Sequence, residues 1–314
     1  MRILFWGTPE FAVPSFRALL GEGHDVVSVV TQPDRPAGRG RKPQAPAMKR
    51  AAEQELVPVL QPESPRADGF ETTIRVLEPE LSIVVAYGHI LRREILDIPA
   101  RGSVNLHASL LPSLRGAAPI AWAIANGDAM TGVTVMRMTE GMDAGPILHQ
   151  VAEPIAAEET ATDLATRLSE LGAEALVEAL ALLEADALEA VAQDDARATF
   201  APRITREHTR IDWTLPAVAV GARVRAFDAR PGAWTTMNGR EIKLFRPLPE
   251  PKRVHAAPPG TVLEVHATDA SEGMLVACGR GAVWIREVTP SGSRRMRTSD
   301  WVRGRGAQAG DRLG

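Results

Sequence analysis

Apolar and polar positions along the 314-residue chain change rhythm twice. In the first half, short continuous apolar runs alternate with helical patterns. RILFWG (2–7) is unbroken and ends in Gly, as a buried strand does. In TPEFAVPSFRALLGEG, which follows, Thr8 is placed as N-cap, Pro9 as the first helical residue and Glu10 in the first turn. DVVSVVTQ (25–32), LSIVVAYG (81–88), GSVNLHAS (102–109) and GVTVMRM (132–138) read as further strands. Helical patterns lie near 46–56, 66–78 and 117–126. Such alternation indicates an α/β fold: a Rossmann-like, mostly parallel sheet with helices on both faces.

From Glu158 the rhythm becomes purely helical. Leu164, Leu168, Leu171, Ala175, Leu176 and Leu180 recur at helical spacing and form a core-facing stripe, a structural feature rather than a binding site. Residues 187–211 are mixed and polar, and read as a crossing between domains. Beyond them come short strands: AWTTM (233–237), REIKLFRP (240–247), GTVLEVHA (260–267), GMLVACG (273–279) and AVWIREV (282–288). Asn238-Gly239 between the first two is a hairpin signal. The expectation is a small OB-like β-barrel. The division expected is a catalytic domain 1–188, a linker 189–206 and a second domain 207–314.

Composition bounds the setting. No apolar run approaches the roughly 18 residues of a membrane helix, and Met1 runs straight into a strand pattern without a signal-peptide core. The single cysteine, Cys278, leaves no internal disulfide and no Cys-based zinc site. A soluble cytoplasmic protein is expected. The net charge of −3 hides an asymmetry: residues 1–202 sum to −11 and residues 203–314 to +8. A basic second half suits a polyanionic partner such as nucleic acid, although varied surface charge alone also accounts for it.

Candidate chemistry narrows further. The first strand–helix turn lacks the glycines of a dinucleotide site, and no phosphate-binding P-loop is present. The scattered histidines offer no metal pair, and Ser109 lacks a nucleophile elbow. The loop Thr31–Pro46 carries four Pro, two Gly and the cations Arg35, Arg39, Arg41 and Lys42. It is either a solvated loop or a basic flap for phosphate or bases. Asn105 and His107 alternate with Leu106 and Ala108, so they share one face at a strand's C-terminal end, where open α/β sheets bind ligands. They are satisfied turn groups or the polar end of an active site. The Gly-bracketed loop carrying Asp143 would bring a carboxylate toward His107.

NLHASLLPSLRGAAPI, with EGMDAGPIL about 30 residues later, resembles the 10-formyltetrahydrofolate-dependent formyltransferases over essentially the whole chain. GTPEFAVP, QPDRPAGRGRKP and RIDW extend the resemblance to those members that act on methionyl-tRNA. The resemblance implies 10-formyltetrahydrofolate as co-substrate, no metal, and methionyl-initiator tRNA as acceptor, in a monomer. It implies Asn105 and His107 as donors to the tetrahedral oxyanion, with Asp143 holding His107. Ser109, Leu110, Leu111 and Pro112 match the folate-binding segment, which would offer an apolar wall with exposed backbone groups. Tyr87 and Gly88 are weaker candidates for that pocket, and Arg115 serves substrate or structure. Arg39 matches the basic residue by which the loop discriminates tRNA. Two rivals stand beside this reading. One is a formyl-folate enzyme that uses an amino-sugar nucleotide or hydrolyses its donor. The other is an RNA-binding protein with a vestigial catalytic domain.

Overall fold

The computed structural model describes residues 1–37, 42–266 and 273–314, with the backbone alone for Ala37 and Lys42. The described residues gather into two compact units that do not follow chain order. The first holds 1–119, 131–153 and 165–202; the second holds 120–130, 154–164 and 203–314.

The first unit is built on a seven-stranded sheet. In chain order its elements start with β1 (Arg2–Gly7), α1 (Val13–Gly21) and β2 (Asp25–Val30). A hairpin of β3 (Arg35–Ala37) and β4 (Lys42–Gln44) leads to α2 (Ala47–Gln54), β5 (Val59–Leu60), α3 (Phe70–Val76) and β6 (Leu81–Val85). Then come α4 (Arg93–Leu96), β7 (Ser103–His107), β8 (Met130–Arg137), β9 (Ile147–Pro154) and most of α6 (Ala161–Glu184), while α5 (Pro119–Asn126), between β7 and β8, falls almost wholly in the second unit. The strand order is β5-β2-β1-β6-β7-β8-β9. β5, β2, β1, β6 and β7 pair in parallel, and β8 pairs antiparallel to β7. The continuous apolar runs have the reason expected of them: Ile3 to Trp6 and Leu81 to Val85 are all buried. Trp6, Phe70, Ile74 and Tyr87 pack in one core cluster, and the buried Trp6 Nε1 donates to Ser82 Oγ (3.2 Å).

One local expectation fails here. Pro9 is extended, and a 3-10 turn (Glu10–Ala12) precedes α1, so Thr8 is not a cap. Its hydroxyl donates instead to the carbonyl of Tyr87 across the sheet (3.0 Å). The basic loop holds one short ladder, its two strands three residues each. Pro36 lies opposite Pro43 in the β3–β4 hairpin, and an isolated two-stranded ladder has no third strand that needs their missing N–H groups.

The second unit contains α7 (Ala217–Ala226), β10 (Ala233–Met237), β11 (Arg240–Glu250), β12 (Val262–Val265), β13 (Met274–Ala277), β14 (Ala282–Pro290), β15 (Met296–Arg297) and α8 (Thr298–Arg303). Its strands are antiparallel in the order β10-β11-β14-β13-β12, with β15 beside β14. Residues 310–314 then bridge the two ends. Leu313 N donates to Gly260 O (2.8 Å), and Gly314 N donates to Thr236 O (3.0 Å). That closes the sheet against itself, removing two exposed edges. Asn238 and Gly239 both have positive φ (51° and 72°), as the tight β10–β11 hairpin requires.

Candidate active site

The site lies at the carboxyl ends of the parallel strands. β1 has its sequence neighbour β2 on one side and β6 on the other, so the crevice between the ends of β1 and β6 is a topological switch point. Thr8 and Gln32 leave β1 and β2 there, and both donate to the carbonyl of Tyr87 (3.0 and 2.9 Å) just beyond β6. Gly88 follows with φ +88°, a left-handed backbone that favours glycine, and Gln32 Nε2 sits 2.6 Å from where a Cβ would project. The Tyr87 side chain is not a pocket wall. It is buried against Trp6, its hydroxyl lacks a partner among the described residues, and desolvation pushes its pKa up to about 12. Only main chain at Tyr87–Gly88 remains to meet a ligand.

β7 is the next strand. Asn105 pairs with Val84 of β6 and Met136 of β8, and is half-buried. Among the described residues its carboxamide has no hydrogen-bond partner. His107, two residues on, is buried. Its Nε2 lies 2.9 Å from the carbonyl of Leu114. A carbonyl only accepts, so Nε2 carries the hydrogen and donates it. Its Nδ1 faces Asp143 Oδ2 at 3.7 Å. The structure therefore sets His107 against Asp143, with Asn105 two residues earlier on the same strand. His107 has its Nε2 hydrogen committed to Leu114 and is not free to donate it to a reacting oxygen in this conformation.

Asp143 sits on the β8–β9 loop at φ 48°, a left-handed backbone that costs energy outside glycine. Its Oδ2 accepts from Gly116 N (2.8 Å). Gly116 has φ +121°, and a Cβ there would lie 2.7 Å from the carbonyl of Ala201. Gly145 is equally confined, 1.9 Å from the carbonyl of Arg137. Arg115 resolves as structural. It is buried, and its guanidinium donates to Gln193 Oε1 (3.0 and 2.7 Å) and to Asp195 Oδ1 (2.8 Å).

The segment Ser109–Pro112 is held rather than open. Ser109 Oγ donates to Ser113 O (2.6 Å), and Thr134 Oγ1 donates to Ser109 O (2.6 Å). Leu111 N donates to Thr134 Oγ1 (3.1 Å), while Leu111 O accepts from Gln150 Nε2 (2.8 Å). Leu110 O and Pro112 O accept from Ser113 N and Thr199 N. The carbonyls of this turn are therefore taken up, three of them by Thr134, Gln150 and Thr199 from elsewhere in the chain. Ser109 and Leu111 are interior, whereas Leu110 and Pro112 are half-exposed and can form an apolar wall. Thr134 and Gln150 hold this turn and Gln193 holds the Asp143 loop, and the sequence marks none of them. Each lies on a distant strand or in the crossing, with no local motif.

Of the basic loop, Arg35 is exposed on β3 and Lys42 is placed by its backbone in β4; Arg39 and Arg41 lie outside the described residues. The loop's root is pinned. Asp34 accepts from Gln61 Nε2 (2.8 Å) and Lys49 Nζ (3.0 and 2.8 Å), and these bonds, Gln61's first, hold its carboxyl below the usual range. No helix among the described residues is long and apolar enough to cross a membrane.

A parallel sheet with polar groups converging at its switch point, followed by a closed antiparallel barrel, is the architecture of formyl transferases. Residues 1–180 match the formyl transferase family and residues 203–306 match the formyl transferase C-terminal domain. Methionyl-tRNA formyltransferase of Geobacter sulfurreducens is 44% identical over all of this chain and 97% of its own length. That of Methylococcus capsulatus is 45% identical over the whole of both. The chain belongs to the methionyl-tRNA formyltransferase family. Among solved structures, HypX from Aquifex aeolicus in complex with tetrahydrofolic acid shares the fold (TM-score 0.65, 21% identity) over 95% of this chain, which spans 46% of HypX. WlaRD, a sugar 3N-formyl transferase, shares it with a TM-score of 0.67 at 16% identity, over 94% of this chain and 99% of its own.

Proposed function

We propose that the chain transfers the formyl group of 10-formyltetrahydrofolate to the α-amino group of methionyl-initiator tRNA. Full-length identity to methionyl-tRNA formyltransferases carries this reading. The chemistry is attack of the amine nitrogen on the formyl carbon, collapse of the tetrahedral oxyanion, and departure of the folate N10. A bond forms to the methionyl nitrogen, the bond to N10 breaks, and the amine's proton ends on N10. Asn105, with its carboxamide unpartnered, donates to the oxyanion. The neutral His107 tautomer that donates Nε2–H to Leu114 leaves Nδ1 with its lone pair. Nδ1 takes the amine proton, and Asp143 at 3.7 Å stabilises the imidazolium before the proton passes to N10.

Leu110 and Pro112, backed by Ser109 and Leu111, form the folate wall, and the main chain of Tyr87 and Gly88 meets the same ligand. Arg35, Arg39, Arg41 and Lys42 meet tRNA phosphates or bases. The chain works as a cytoplasmic monomer whose catalytic domain spans 1–188 and whose tRNA-binding barrel spans 207–314. The test mixes purified chain with 10-formyltetrahydrofolate and methionyl-tRNA. Formyl-methionine on the tRNA is expected. Consumption of the folate without formylated tRNA would overturn the reading in favour of a hydrolase.

A further inference from the structure

Gln193 lies in the crossing segment, which shows no chemical motif, yet its carboxamide is fully committed. Nε2 donates to the carbonyls of Asp143 (2.8 Å) and Gly145 (2.7 Å). Oε1 accepts from Arg115 Nε (3.0 Å) and Nη2 (2.7 Å). Carbonyls only accept and a guanidinium only donates, so the orientation of this amide is fixed by its partners. Both hydrogens and both lone pairs are used.

Asp143 needs such a hold. Its backbone is in the left-handed region, and the loop around it carries Gly141 and Gly145. Gly116 N, next to Arg115, grips the Asp143 carboxylate, while Gln193 grips its main-chain carbonyl. The segment bearing Gln193 is itself anchored. Val191 and Ile147 exchange backbone hydrogen bonds (2.8 Å each), Thr199 Oγ1 accepts from Leu114 N (2.8 Å), and Ala201 N donates to Arg115 O (2.7 Å). The carbonyl that Leu114 offers to His107 thus hangs on the same strap as the loop that offers Asp143.

We infer that Gln193 is a positioning residue: it sets where Asp143 stands relative to His107, and so tunes proton transfer without touching substrate. The inference rests on the role proposed above for the His107–Asp143 pair. Two variants separate positioning from mere packing. Gln193→Met keeps the bulk and loses all four bonds. Gln193→Glu keeps an acceptor for Arg115 and turns two donors into acceptors facing two carbonyls. A residue needed only to pair buried Arg115 tolerates Glu; a residue needed to hold the Asp143 loop does not.

The experiment measures kcat and KM for methionyl-tRNA and 10-formyltetrahydrofolate in the full chain, with a thermal melt for each variant. Both variants are expected to lose on the order of 10- to 100-fold in kcat. Both KM values should stay within about twofold, because uniform binding is untouched. In an Asp143→Asn background, Gln193→Glu should change kcat by less than about twofold, since the group it positions is gone. Parental kcat in Gln193→Glu overturns the inference. So does an undiminished loss in the Asp143→Asn background. Should Gln193→Met melt below the assay temperature, Gln193→Glu carries the comparison through its retained Arg115 contact. An inactive parent chain overturns the functional reading and this inference together. An active parent with indifferent Gln193 variants overturns the inference alone.

Discussion

Asn105 presents a half-buried amide at a strand end that makes no hydrogen bond to the described residues and so is free to meet a ligand. Asn105→Ala should lower kcat by about 10²- to 10³-fold while leaving KM for the folate nearly unchanged. Steady-state kinetics would expose an error if turnover stayed near parental. His107 and Asp143 act as one unit in the proposed step. The loss in a His107→Ala, Asp143→Asn double variant should therefore fall well short of the two single losses combined. Full additivity, read as free energies, would count against the pair. The approach of Asp143 to His107 was legible, because a glycine-bracketed loop flagged the carboxylate and strand alternation put Asn105 and His107 on one strand end. Tyr87 misled for a physical reason: a strand-end aromatic looks like a pocket wall, but Trp6 beside it claims the ring for the core. Gln193 was illegible, because a lone amide in a polar stretch gains meaning only from partners about 50 to 80 positions away.

Elements were read with uneven success. The parallel strands and α6 announced themselves through unbroken apolar runs and a long leucine stripe. α7 did not. AVAVGARVRA buries Ala217, Val220, Ala222, Val224 and Ala226 around much of its surface, so no polar face marks a helical period. Its Gly221 admits the ring of Pro249, 2.6 Å from the position of a Cβ, which no sequence pattern displays. The β8–β9 loop offers a test at this scale. Gly145→Ala pushes a methyl against the Arg137 carbonyl, where no flexible side chain can yield. It should cost on the order of 1–3 kcal/mol in stability and reduce kcat as Asp143 shifts. Unfolding curves beside kinetics would refute this if both stayed parental. In the basic loop, Arg39→Ala should lower kcat/KM for methionyl-tRNA and leave folate binding intact. Equal kcat/KM would make the loop a solvated surface.

At the scale of the whole molecule, charge divides the chain: residues 203–314 carry +8 against −11 for the rest. Affinity for tRNA should fall steeply with added salt as phosphate contacts release counterions. Replacing Arg35, Arg39 and Arg41 together by Ala should flatten the log–log slope by roughly 2–3. An unchanged slope in a filter-binding titration would show that these cations do not meet phosphate. The barrel also carries a reporter. Cys278 is buried and burial pushes its thiol up to about 12, so a thiol reagent near pH 8 should label it only after the second unit unfolds. Prompt labelling of native protein would contradict the closed barrel. The unit boundaries that cut across chain order bear on synthesis as well. Thr162 finds Asp228 66 residues later, and Glu158 finds Arg286 128 residues later. At roughly 5–20 residues per second, a growing chain holds this segment without these partners for several seconds to tens of seconds. Nascent chains paused in that interval should be open to protease at 154–164. A pause in translation anywhere between residues 165 and 286 then lengthens that exposure.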